Sequence, residues 1–114
     1  MKEILRVLPG EHFIYYSDEG HCPYGNKSTE YILERSKSIA KELIEDGAQV
    51  IVIACNTATA ASIKTLRQDW PEIPLMGLGP PVKPAAALSE SGVVGVLATE
   101  STLHAEKYIR TREK

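Results

Sequence analysis

The residue best suited to chemistry in this sequence is Cys55, which follows the β-branched run Val50–Ile53 by two positions. The run predicts a strand, and the small residues after Cys55 predict the start of a helix. The thiol then lies at the carboxyl end of a strand, where open α/β sheets bind ligands. If Asn56 or Thr57 caps the helix, unpaired N–H groups and the helix dipole favour the thiolate. A buried, unreactive cysteine is the alternative, and the local pattern leaves both open.

The elements that must position this cysteine alternate between helix and strand. Four β-prone runs predict strands at 13–16, 50–53, 73–78 and 92–97. Amphipathic or capped segments predict helices at 1–8, 28–46, 57–69, 83–90 and 101–109. Because Val50–Ile53 is apolar without alternation, its strand should be covered on both faces. We therefore predict an α/β fold with three layers, helix on sheet on helix, around a mainly parallel four-stranded sheet.

Composition is typical of a small soluble globular domain. The chain has 114 residues, of which 43% are hydrophobic and 25% charged, and its formal net charge is -2. We expect a single domain over residues 1–114, and the dispersed basic residues do not indicate a nucleic-acid partner. No apolar run is long enough to span a membrane and no signal-peptide core is present, so we expect no membrane association and a cytoplasmic location.

Other classes of site have little support in the sequence. Two cysteines, Cys22 and Cys55, are too few for a disulfide framework, and both should be free in a reducing compartment. His21 precedes Cys22, but no second ligand pair follows at zinc spacing, so we expect no metal site. A Gly-x-Gly-x-x-Gly or Walker-type loop is missing, which argues against nucleotide binding. Asp18 and Thr99 follow two other predicted strands, which predicts a polar pocket along one sheet edge.

Four segments resemble the glutamate racemases of the aspartate/glutamate racemase superfamily. Ile53–Ala60, with the sequence IACNTATA, is similar to the first catalytic-cysteine motif of that family. Pro23–Gly25 followed by Lys27-Ser28 is similar to its PYG-x-KS segment. Residues 80–85 and 95–102 resemble two further family segments. The matches occur in family order and cover nearly the whole chain.

The resemblance implies a role for each candidate residue. Cys55 would be the acid or base on one face of glutamate, and the substrate carboxylate would be held by Asn56 and Thr57. Tyr24 and Gly25 would line the opposite wall. From local pattern alone, Asn56-Thr57 is equally a helix cap and Tyr24-Gly25 equally a turn. Asp18 and Thr99 are further candidates.

The resemblance also implies what is missing. Family enzymes use no cofactor, and two cysteines, one from each of two related α/β halves, act on opposite faces of the α-carbon. Cys55 supplies one thiol, the second cysteine motif is absent, and Cys22 lies where the family has no catalytic cysteine. The family's first strand, with its Asp-Ser-Gly turn, is missing before Met1. We therefore expect one truncated racemase-type domain that does not complete racemisation alone.

Three functions are open at this point. The first is part of an amino-acid racemase, an isomerase that supplies D-glutamate for peptidoglycan and hence for cell-wall biogenesis and cell shape. The second is a non-catalytic truncated relative, and the third is a small dicarboxylate-binding module. An incomplete sheet leaves strand edges unpaired, so we also predict a homodimer.

Overall fold

The computed structural model describes residues 2–112, apart from the side chains of residues 107 and 112. Its helices are α1 (Lys2–Val7), α2 (Thr29–Glu45), α3 (Asn56–Asp69), α4 (Val82–Leu88), α5 (Glu100–Leu103) and α6 (Glu106–Arg112). Its strands are β1 (Ile51–Ile53) and β2 (Leu75–Gly77), and a 3-10 turn covers Glu19–His21. Residues 1, 113 and 114, the first of which belongs to the predicted helix 1–8, lie outside the described residues.

Helix α2 begins and ends where its local sequence predicts. The Ser28 hydroxyl oxygen accepts a hydrogen bond from the Tyr31 N–H at 3.1 Å and caps the first turn. At the other end, Gly47 adopts a φ of 91°, a left-handed conformation that glycine reaches without steric cost. Between these ends, Ile32 and Ala40 are buried on one face. The amphipathic pattern therefore directs α2 onto the core.

The sheet is parallel and is covered on one face. Strands β1 and β2 pair in register, with Val52 opposite Met76. One buried cluster joins α2, α3 and both strands through the side chains of Ala40, Ile51, Leu66 and Leu75. On the other face, Val52 is 45% exposed and Met76 is 58% exposed. The prediction that this strand is covered on both faces is therefore wrong for the described residues.

The described residues contain two of the four predicted strands. Residues 13–16 and 92–97 form no strand, and within the second run Leu97 is fully exposed. A β-prone segment becomes a strand only when a neighbour supplies ladder hydrogen bonds, and β1 and β2 pair with each other alone in residues 2–112. The α/β class with a parallel sheet is confirmed. The four-stranded, three-layer arrangement is not seen in this part of the chain.

Smaller differences concern the last helices. The helix predicted over 101–109 is divided into α5 and α6, and Thr99 rather than Ser101 stands at the N-cap of α5. Helix α4 starts at Val82 and carries Pro84 in its first turn, where a missing N–H does no harm. Among residues 2–112, no helix combines the length and the apolar character needed to cross a membrane.

Candidate active site

The Cys55 thiol itself caps helix α3. Cys55 has an extended backbone, with φ -135° and ψ 123°, and its Sγ accepts a hydrogen bond from the Ala58 N–H at 3.5 Å. Its carbonyl oxygen accepts the first helical hydrogen bond, from the Thr59 N–H at 2.9 Å. The prediction that Asn56 or Thr57 provides the cap is therefore wrong, because α3 starts at Asn56. Negative charge on this sulfur would meet the positive end of the helix dipole.

Cys55 is exposed at this turn. The alternative in which the cysteine is buried and packed is therefore wrong. Cys22, the second cysteine, is also free and exposed. Asn56, the first residue of α3, is half-buried. An accessible thiol thus lies at a helix N-terminus, directly after a parallel strand.

Three threonine hydroxyls join the first turn of α3 to helix α5. Thr57 Oγ1 lies 2.9 Å from Thr99 Oγ1 and 3.5 Å from Thr102 Oγ1. The hydroxyls of Thr99 and Thr102 lie 3.0 Å apart. Thr57 and Thr102 are buried whereas Thr99 is exposed, so the three hydroxyls lie where the packed interior meets solvent. The structure therefore brings the predicted residues Thr57 and Thr99 together and adds Thr102, which sequence reasoning did not single out although it lies one helical turn after Thr99.

A fourth threonine, Thr59, joins the ends of the two strands near the thiol. Its hydroxyl donates to the Ile53 carbonyl at 3.2 Å and accepts from the Leu78 N–H at 3.1 Å. Thr59 thereby bridges the segments that leave β1 and β2. Gly77 makes room for it, since a Cβ there would lie 2.4 Å from Thr59 Cγ2. The orientation of the Cys55 turn is set by this junction.

The segment that contains Tyr24 and Gly25 faces the threonine group. A Cβ added at Gly25 would lie 2.9 Å from Thr99 Cγ2, so the glycine backbone is in close contact with that side chain. The Tyr24 hydroxyl donates a hydrogen bond to a carboxylate oxygen of Asp18. Gly25 thus approaches the Cys55 turn through Thr99, whereas the hydroxyl of Tyr24 is engaged by Asp18.

Asp18 is the centre of a polar network that includes two residues sequence reasoning missed. Arg35 Nη2 donates to Asp18 Oδ1 at 2.6 Å and Arg35 Nε donates to Oδ2 at 3.2 Å. His21 Nδ1 lies 2.9 Å from Oδ1. Arg35 lies neither at a strand end nor in one of the family-like segments, and it is 17 positions from Asp18 in the sequence. No local signal in the sequence therefore indicates the pairing.

The network also sets the ionisation of its members. Hydrogen bonds from Arg35 lower the pKa of Asp18 from its usual 3.8 to about 2, against a smaller opposing effect of burial. Burial and the hydrogen bond to Asp18 raise the pKa of Tyr24 above its usual value. At neutral pH the carboxylate is therefore charged and the phenol is a protonated donor.

The arrangement suits recognition of a carboxylate beside a proton-transferring thiol. Backbone N–H groups of a helix N-terminus and nearby hydroxyls are common ligands of anions. A thiolate within reach of a substrate C–H can act as a general base. Among residues 2–112, no group of three or more His, Cys, Asp or Glu side chains is placed to hold a metal ion.

Sequence comparison relates this chain to racemases. The family model described as Asp/Glu/Hydantoin racemase matches residues 3–112. The chain is 52% identical over 108 residues to the glutamate racemase of Ectopseudomonas mendocina, covering 95% of this chain and 41% of that protein. It is 50% identical over 118 residues to that of Methylococcus capsulatus, covering 100% of this chain and 43% of the relative. The chain thus spans about two fifths of these curated relatives.

Solved structures give the same relationship. Glutamate racemase of Escherichia coli, in complex with L-glutamate and the activator UDP-MurNAc-ala, matches with a TM-score of 0.86 and 38% identity, over 96% of this chain and 41% of that one. The glutamate racemase of Aquifex pyrophilus matches with a TM-score of 0.86 and 32% identity, over 98% of this chain and 44% of that one.

Proposed function

Because this chain belongs to the Asp/Glu/hydantoin racemase family, we propose that it carries one thiol-containing half-site of a glutamate racemase, an enzyme that interconverts L- and D-glutamate. The observation that carries the proposal is the exposed Cys55 thiol at the N-terminus of α3. The solved Escherichia coli relative, which holds L-glutamate, supports glutamate as the substrate. The activity of a whole racemase is part of the proposal, since the chain spans about two fifths of these relatives.

In this proposal the α3 turn binds the substrate. The glutamate α-carboxylate lies against Asn56 and the backbone of Thr57, where the N–H groups of the helix N-terminus favour negative charge. Tyr24 and Gly25 form the facing wall, and the contact between Gly25 and Thr99 supports that placement. The α-carbon then lies beside Cys55.

The chemical step is a proton transfer at the α-carbon. The Cys55 thiolate accepts the α-proton, and the electron pair of the broken C–H bond remains on carbon, delocalised towards the carboxylate. The resulting thiol exchanges its proton with solvent and returns one to the same face. Inversion needs a second acid on the opposite face, and we propose that a second cysteine of a complete racemase supplies it. No cofactor takes part in this scheme.

The wider role follows from the same proposal. D-glutamate formed in the cytoplasm would enter peptidoglycan and so serve cell-wall biogenesis and cell shape.

We also propose the four-stranded, three-layer arrangement for the complete fold. In that arrangement segments 13–16 and 92–97 form strands, for which they need hydrogen-bonding neighbours that residues 2–112 do not supply. A homodimer stays a prediction as well. A second copy would pair with the strand edges that the two-stranded sheet leaves unpaired among residues 2–112.

Solvent exchange of the glutamate α-proton tests the proposal. In D2O, the protein should remove the α-proton signal of glutamate from the proton NMR spectrum. Cys55→Ala should abolish this exchange, because it removes the thiol that is proposed to accept the proton. Cys22→Ala is the matched control, since it removes the other exposed thiol and should leave exchange unchanged.

Two results would contradict the proposal. Exchange that persists in Cys55→Ala would assign the proton transfer to another group. Glutamate binding without any exchange by the unaltered protein would instead indicate the dicarboxylate-binding module.

A further inference from the structure

Polar contacts, rather than apolar packing, hold the segment from Ser17 to Gly25 in place. None of its apolar side chains is buried, so apolar packing does not fix it. Apart from an exposed contact between Ser17 and Glu19, its side-chain hydrogen bonds converge on Asp18, whose side chain is only 10% exposed. The Asp18 carbonyl also accepts hydrogen bonds from the N–H groups of His21 and Cys22, at 3.1 Å and 3.2 Å. Segments with few buried apolar contacts open locally at low cost, so this segment depends on the Asp18 contacts.

Arg35 links Asp18 to the rigid part of the fold, beside a ring contact between His21 and Tyr31 of α2. It projects from α2, a helix of 17 residues with its own cap and buried face. Its guanidinium contacts both oxygens of Asp18. A planar guanidinium fixes the orientation of a carboxylate, whereas an ammonium group holds it only as a point charge. Arg35 therefore determines where Asp18 stands and which way it faces.

Contacts continue from Asp18 to the candidate site. Asp18 accepts the hydrogen bond from the Tyr24 hydroxyl. Tyr24 is bonded directly to Gly25, whose backbone is in close contact with Thr99. Thr99 in turn shares a hydrogen bond with Thr57 at 2.9 Å, two residues after the thiol.

We propose that Arg35 is a positioning residue for the glutamate half-site, holding the Tyr24-Gly25 wall against Thr99 through Asp18. The inference rests on the proposed function for its ligand, but the position of the wall is measurable without any ligand. Helix α2 is capped and packed independently of Arg35, so loss of the guanidinium should release the wall and leave the fold intact.

The test compares Arg35→Gln with Arg67→Gln. Arg67 is a matched control because its Nε and Nη2 also donate two hydrogen bonds, at 3.2 Å and 2.7 Å, but to the Leu75 carbonyl in the core sheet. The first measurement is the NMR Overhauser effect between the Gly25 α-protons and the Thr99 γ-methyl group. The second is the dissociation constant for L-glutamate from an NMR titration. Thermal melts followed by circular dichroism identify a temperature at which every variant is folded, and both measurements are made at that temperature.

Arg35→Gln should lose the Gly25–Thr99 Overhauser effect and bind glutamate about tenfold more weakly, the change expected when one charge-assisted contact no longer orders the wall. Arg35→Lys should give an intermediate dissociation constant, since lysine keeps the positive charge but lacks the planar guanidinium that contacts both carboxylate oxygens. Arg67→Gln should keep the Overhauser effect and bind glutamate as the unaltered protein does, even where its melting temperature falls.

An Overhauser effect that survives in Arg35→Gln would overturn the inference, and so would unchanged glutamate affinity after its loss. Equal losses in Arg67→Gln would also overturn it, because they would assign the change to general destabilisation. If the unaltered protein binds no glutamate, the proposed function fails, and the Overhauser effect alone then decides whether Arg35 positions the wall.

Discussion

Replacing Gly77 by alanine should disrupt the junction that holds the Cys55 turn. The new Cβ would lie 2.4 Å from Thr59 Cγ2 and 3.1 Å from Thr59 Oγ1. Thr59 is buried, and rotating its side chain would break the hydrogen bonds to Ile53 and Leu78. Overpacking of this kind costs about 1 to 3 kcal/mol. Alanine orders the backbone better than glycine by about 0.5 to 1 kcal/mol. The net loss in the free energy of unfolding is therefore expected near the middle of the remaining range, at about 1 kcal/mol.

A double-mutant cycle tests the origin of this loss. Thr59→Ser removes the Cγ2 methyl group and keeps the bridging hydroxyl, and alone it should cost about 1 kcal/mol for the lost buried methyl. In the double variant the alanine Cβ occupies the space that the methyl left. Urea unfolding should therefore show a double variant more stable than the sum of the single losses predicts, by about 1 kcal/mol.

The result that would refute this reasoning is additivity. If the losses of Gly77→Ala and Thr59→Ser add within about 0.3 kcal/mol, the two side chains do not compete for space. The slopes of the unfolding curves must agree among the variants for this comparison, since a changed slope reports a change in the surface exposed on unfolding.

Two further predictions concern the Thr57 hydroxyl and the Asp18 carboxylate. Thr57→Val keeps the shape of the side chain but removes its hydrogen bonds with Thr99 and Thr102, so urea unfolding should show a loss of about 1 to 2 kcal/mol. No loss would contradict these hydrogen bonds. The pKa of Asp18 falls from 3.8 to about 2 on folding, so its contribution is present above pH 3.8 and is lost as pH falls towards 2. Acid should remove about 1 to 2 kcal/mol of stability, allowing for solvent screening, and Asp18→Asn should remove that part of the pH dependence; an identical acid profile in the variant would contradict the assignment.

Features with a local cause could be predicted from the sequence. Ser28 and Gly47 bound α2 as predicted, because a cap side chain and a left-handed glycine act within one turn of the chain. Cys55 was expected at a strand end next to a helix start, and it lies there. Its role as the cap was not predicted, since Asn and Thr are more usual caps than Cys.

Features that depend on distant partners could not be predicted. The β-prone runs at 13–16 and 92–97 have the composition of strands, but strand formation requires a neighbour that composition does not reveal. The Asp18–Arg35 pair joins a loop to a helix, and the sequence offers several other acids and bases for either partner. The Thr102 hydroxyl lies beside that of Thr57 only because α5 packs against α3.

The most direct test of the central claim is α-proton exchange measured separately for L- and D-glutamate. A single thiol acts on one face of the α-carbon, so the protein should exchange the α-proton of one enantiomer with deuterium, without inversion, and Cys55→Ala should exchange neither. Conversion of L- to D-glutamate by this chain alone would contradict the account, because it requires a second acid on the opposite face. Exchange that does not depend on Cys55 would contradict it equally.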